Sequence, residues 1–236
     1  MADIPSMTNM IAAVGALGTA SYGLVDASKA FWGGISNAGF AYIRRAITGL
    51  FPDNDPAKGG QTLLGSSAAL AELRASWLNG TPLADQRAIA KSLIKLRLSA
   101  ENAKMLAEKA GVNSDVLTSV ATKMGTGAAL TPAETDVFGR FDLILTTALE
   151  EAYQRADQRY RNWCKLLAIP VSLVLAVLGG WAIHSKEYAV FSDYCFSASG
   201  GQAFIIGLLA TPLAPVAKDL SSAVQAGAKA VQAVKK

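Results

Sequence analysis

One histidine, His184, and two cysteines, Cys164 and Cys195, are all that 236 residues supply of the side chains that most often ligate zinc or pair as nucleophile and base. No CxxC pair or Cys and His cluster can be drawn from them, so neither a structural zinc site nor a hydrolase centre is expected. GxxxxGK[ST], GxGxxG after a strand, HExxH and the calcium-loop pattern are missing too. There is no alternating apolar and polar run of useful length, which leaves no β-strand to build on. A net charge of +4 without Lys and Arg interleaved among aromatics gives no nucleic-acid face. The sequence reads as all-α and non-catalytic, with no cofactor, no metal and no nucleic-acid partner.

Charge is scarce at both ends of the chain. Residues 26–165 hold 17 of the 22 Lys and Arg and 14 of the 18 Asp and Glu, while 51% of the whole chain is hydrophobic. From Leu166 to Ile183 run 18 uncharged residues, and after ten more a second uncharged stretch covers 24 residues from Tyr194 to Ala217. A helix needs about 20 predominantly apolar residues to cross a bilayer, and a charge at its centre costs on the order of 2.5–3.5 kcal/mol. Residues 166–217 are therefore expected to form a transmembrane helical hairpin. The uncharged segment from Ile4 to Val25 makes residues 1–30 a third membrane helix, diluted by glycine, serine, threonine and alanine; its alternative is a helix at the membrane surface.

Between these ends the chain divides further. Residues 31–51, with Phe31, Trp32, Phe40, Arg44 and Arg45, read as an interfacial amphipathic helix, or else as a core helix of a soluble domain. Prolines and glycines mark 52–60 as a linker. Residues 61–130 form a helical cluster, with helix starts at Thr81-Pro82, Ser99 and Ser114, and with Arg87, Lys91 and Lys95 on a solvated face. Thr131, Pro132 and Glu134 spell a capping box that opens a stalk helix, 131–165. Phe138, Phe141, Leu145, Ala148 and Ala152 give that stalk a heptad-like seam, which can pair between chains or pack on the preceding helices. Residues 218–236 are an amphipathic tail.

Arg155, Arg159, Arg161, Trp163 and Lys165 crowd the entrance of the hairpin and Lys218 follows its exit. These, with Trp32, Arg44 and Arg45, are the membrane-interface residues, and the positive-inside rule puts the soluble domain in the cytoplasm and the N-terminus outside. The alanine- and glycine-rich composition suggests a bacterium of high genomic G+C content, and the expected location is a bacterial inner membrane. Gly15, Thr19 and Gly23 in the first span, Gly179 and Gly180 in the second and Gly207 in the third are candidate helix-packing positions, because small residues let backbones approach where lipid offers no hydrophobic advantage. Pro212 and Pro215 are hinge candidates, or mark the exit of the last helix.

Spans of modest hydrophobicity, rich in small residues, imply assembly with membrane lipid and with further copies. The leading expectation is a homo-oligomeric pore or structural scaffold. The alternative is a membrane-anchored adaptor whose cytoplasmic domain holds a protein partner. In layout, with one span, a cytoplasmic helical domain and a terminal hairpin, the chain resembles the proton-channel subunits of bacterial stator-type motors, which implies energy coupling; the glycine-and-threonine signature expected there is missing from these spans.

Overall fold

The computed structural model describes residues 7–31, 33–50 and 66–214, with side chains from Ile11 onward. Of the described residues 85% are helical and none is in a strand, so the protein is all-α. The helices are α1 (Met7–Ala27), α2 (Ser36–Leu50), α3 (Ser66–Leu78), α4 (Leu83–Leu96), α5 (Ala100–Ala110), α6 (Ser114–Thr126), α7 (Pro132–Ile183), α8 (Phe191–Cys195) and α9 (Ala198–Ala214). The chain forms two compact units: one comprises Met1–Ile35 with Arg161–Lys236, the other Ser36–Tyr160. The 52–60 linker, the 218–236 tail, Trp32, Pro215 and Lys218 lie outside the described residues.

Local chemistry sets most helix ends of the Ser36–Tyr160 unit. Ser99 and Asn102 close a capping box at the start of α5, and the Asn113 side chain accepts the amides of Asp115 and Val116 at the start of α6. Gly111 and Gly127 end these helices at φ 64° and 73°, a left-handed conformation that glycine adopts without steric cost. At the start of α7 the Thr131 amide donates to Glu134 Oε2 at 2.7 Å while the Glu134 amide approaches Thr131 Oγ1 at 3.4 Å. The start expected at Thr81-Pro82 is built differently. No side chain caps α4; the Thr81 carbonyl instead accepts from Gln86 Nε2 at 2.6 Å.

The core of this unit joins Ile43 and Ile47 of α2, Leu73 of α3, Ile94 of α4, Leu106 of α5, Leu117 of α6 and Phe141, Leu145, Leu149 and Tyr153 of α7, each at most 2% exposed. Burying such a leucine or isoleucine contributes about 1.5–3 kcal/mol. Helix α2 thus contributes Phe40, Ile43 and Ile47 to the core of this unit, and Arg44 and Arg45 occupy its exposed side. Gly39 makes the fit possible, because a Cβ there would stand 2.6 Å from the Ala156 carbonyl oxygen and 2.9 Å from the Trp77 ring. The unit takes in α2 and the start of α7 along with α3 to α6.

The first half of α7 packs on the other helices of its unit, and its seam differs from the heptad pattern. Ala148 and Ala152 are half-buried, and Leu149, Tyr153 and Ala156 are the buried residues beyond Leu145. Steps of four carry the stripe around the helix, following the path of its neighbours. Arg87, Lys91 and Lys95 do not form a free solvated face. Lys95 and Lys91 reach Asp142 at 2.9 and 3.2 Å, Arg87 pairs with Glu150, and Lys95 Nζ also sits 4.9 Å above the centre of the Phe138 ring. Burial opposes ionisation of Asp142, yet the two lysine hydrogen bonds outweigh it and hold its carboxyl below the usual range.

In the other unit, α7 is the one helix among the described residues that is long and apolar enough to cross a membrane by length and composition. Only 11% of its 18-residue apolar window is buried, whereas the core helix of a soluble protein would be mostly covered. α9 is a shorter apolar helix, and α1, though 21 residues long, is diluted by small and polar residues.

Candidate functional site: the small-residue seam of the helical hairpin

The end of α7 sets small residues four apart at Ala168, Ser172, Ala176 and Gly180, and α9 answers with Ala203, Gly207 and Thr211. Small side chains at this spacing let two backbones meet, and they do so at Gly207. A Cβ on Gly207 would lie 2.6 Å from the Leu173 Cα and 3.0 Å from the Ala176 Cβ, so only glycine fits. Beside it, fully buried Ser172 brings its Oγ to 2.7 Å from the Gly207 carbonyl, 2.8 Å from the Ile169 carbonyl and 3.2 Å from Thr211 Oγ1. With one proton to give, the Ser172 hydroxyl serves one carbonyl at a time, and Thr211 can donate to it in turn.

α1 joins this seam through Gly18, where a side chain would overlap the Ala210 carbonyl and stand 2.9 Å from the Ala214 Cβ. Gly15, Ser21 and Val25 are buried on α1, while Thr19 and Gly23 are exposed, and nothing lies within 4 Å of a Cβ built on Gly23. The reason is helical geometry. Steps of three, three and four keep residues 15, 18, 21 and 25 within a sector of about 120° to one side of Gly15, whereas steps of four carry Thr19 and Gly23 about 40° and 80° to the other side, away from Gly18. The buried hydroxyl of Ser21 is satisfied within its own helix by the Leu17 carbonyl at 2.8 Å.

The connection between α7 and α9 is closed by aromatic residues. Tyr194 of α8, 1% exposed, meets Tyr188 at 5.7 Å and His184 at 6.0 Å between ring centres, and Trp181 meets Phe191 edge-on at 5.3 Å. The Trp181 ring nitrogen donates to the Tyr188 carbonyl at 3.2 Å. Gly180 and Gly200 give Tyr194 its room: a side chain on the first would overlap its hydroxyl, and one on the second its carbonyl. Gly179, by contrast, has nothing within 4 Å of the place a Cβ would take.

Of the expected interface residues, Arg155, Arg159, Arg161 and Lys165 are exposed and Trp163 is half-buried. Asp26 and Lys29, at the end of α1, pair at 3.1 Å. α9 continues through Pro212 to Ala214, so this proline does not end the helix. Cys164 is a buried free thiol and Cys195 a partly buried one. Among the described residues no group of three His, Cys, Asp or Glu side chains is placed to hold a metal ion. Sequence reading missed Gly18, Ala203, Ala210 and the anchoring role of Tyr194; the first was legible as the three-residue step after Gly15, whereas the others needed the partner helix.

No protein-family model matches the chain, and neither a curated protein nor a solved structure shows significant similarity to it.

Proposed function

We propose that the chain is an integral membrane scaffold: a bundle of three spanning helices, α1, the end of α7 and α9, that holds the Ser36–Tyr160 unit at the cytoplasmic face of a bacterial inner membrane. The reading is carried by the sorting of side chains in the unit that contains these helices. Among the described residues, sixteen of the 20 exposed large apolar side chains belong to it, including Leu167, Val174, Leu178, Phe204, Ile205 and Leu208, while its interior is lined by Gly15, Gly18, Ser21, Ala168, Ser172, Ala203, Gly207 and Ala210. Water would reverse that order, because burying the large side chains is what stabilises a soluble bundle; hydrocarbon accepts it.

A scaffold is favoured over a pore because, among the described residues, the seam hydroxyls of Ser21, Ser172 and Thr211 are all engaged in hydrogen bonds within the chain. The function then rests on contacts of the soluble unit, with further copies or with a partner protein, and on lipid around the bundle, without catalysis. Extraction of membranes with alkaline carbonate tests the reading. The full chain is expected to stay in the pellet and to need detergent for release; recovery in the carbonate supernatant would remove the proposal.

A further inference from the structure

The exposed side of α7 within the Ser36–Tyr160 unit carries a pattern that neither the core nor the membrane helices use. Asp136, Arg140, Leu143, Ile144, Thr147, Glu151 and Arg155 fall in a sector of about 120°, on the side of the helix away from the buried Phe141, Leu145 and Leu149. Leu143 is 66% and Ile144 39% exposed. Thr147, also exposed, spends its hydroxyl on the Leu143 carbonyl at 3.0 Å. Around this apolar centre stand four exposed charges, paired within the helix as Asp136 with Arg140 and Glu151 with Arg155.

The order of those charges is symmetric. Arg140 and Glu151 are equidistant from the point between Leu145 and Thr146, and so are Asp136 and Arg155; Ile144 and Thr147 flank the same point. Turned end for end, the face presents an opposite charge at each charged position. We infer that this face is a self-association surface on which a second copy of the chain pairs with α7 antiparallel. Arg140 then meets Glu151 of the partner subunit, Asp136 meets the partner's Arg155, and Leu143, Ile144 and Thr147 are covered in the middle. In-register parallel pairing is disfavoured by the same charges, since it sets each against its own copy. Because α7 is one continuous helix, the antiparallel sense turns its two Ile183 ends away from each other.

The pairing extends the scaffold reading by naming its partner, and it is tested in detergent, where membrane insertion plays no part. Differently tagged full-length chains carry Arg140→Glu or Glu151→Arg. Each variant alone places two like-charge contacts across the pair, and its self-capture is expected to fall about tenfold below wild type. Mixing the two variants restores opposite charges at both contacts and should recover capture, as should one chain carrying both substitutions. Both positions are on the surface, and helical circular dichroism is expected to be unchanged. Single variants that self-associate like wild type, or a mixture no better than either variant alone, would overturn the inference while leaving the carbonate result untouched.

Discussion

Ser172 reaches across the hairpin to Gly207: its hydroxyl oxygen stands 2.7 Å from that residue's carbonyl oxygen, at the place where a Cβ on Gly207 would come within 2.6 Å of the Leu173 Cα. The hydrogen bond and the close approach depend on each other. A larger residue at 207 would push the helices apart, and without the hydroxyl the carbonyl would lose its partner across the seam.

Replacing Gly207 by leucine is therefore expected to destabilise the hairpin by about 1–3 kcal/mol, the usual cost of overpacking a fitted contact. Gly179→Leu, where nothing lies within 4 Å, is the matched control and should be close to neutral. Unfolding of the detergent-solubilised chain in rising SDS distinguishes them. Equal midpoints for the two variants would show that the seam does not hold the hairpin.

Ser172→Ala keeps the space and removes only the hydroxyl. Hydrogen bonds between membrane helices average about 0.6 kcal/mol and reach about 1.7, so the same assay should show a loss in that range. Thr211→Val made on top of Ser172→Ala is expected to cost less than in the wild-type chain, because the two hydroxyls are 3.2 Å apart and share one network.

Glu134 links α6, the following loop and α7. Hydrogen bonds from Lys123, the Thr131 amide and Ser119 lower its pKa from 4.5 to about 2. A group whose pKa is lower in the folded state contributes stability that is complete above about pH 4.5 and fades as pH falls toward 2. The difference in melting temperature between wild type and Glu134→Gln should accordingly be widest above pH 4.5 and narrow below it. Asp142, also held low by Lys95 and Lys91, leaves the variant a residual slope of the same sign. A gap that stays constant through the acid range would refute the role given to Glu134.

The seam of α7 separates by burial. Leu149→Ala, at a position 1% exposed, is expected to lower stability by about 2–5 kcal/mol, whereas Leu143→Ala, at 66% exposure, should change the melting temperature little and self-association more. Thermal melts followed by circular dichroism give the first comparison and the capture assay the second.

Much of the helical layout was legible from local chemistry. The capping boxes at Ser99 and Thr131, the caps before Ser114 and the absence of any alternating pattern define helices whose ends need no distant partner. The run from Pro132 to Ile183 forms one helix, which continues through Pro170. Thr81-Pro82 shows the limit: the residues suit a cap, but the carbonyl of Thr81 is taken by Gln86 one turn on.

By itself, then, the sequence determined that the chain is helical, where most helices begin and end, and which stretch is long and uncharged enough to cross a bilayer, because these depend on neighbours within a few residues and on the cost of moving charge into oil. Tertiary structure alone decided that α2 is a core helix, that Gly18 and not Gly23 meets another backbone, that Arg87, Lys91 and Lys95 pair with α7, and that Ser172 serves Gly207. Each of those choices is made between segments distant in sequence, where the direction of a side chain around its helix and the space left by the facing backbone count for more than residue type.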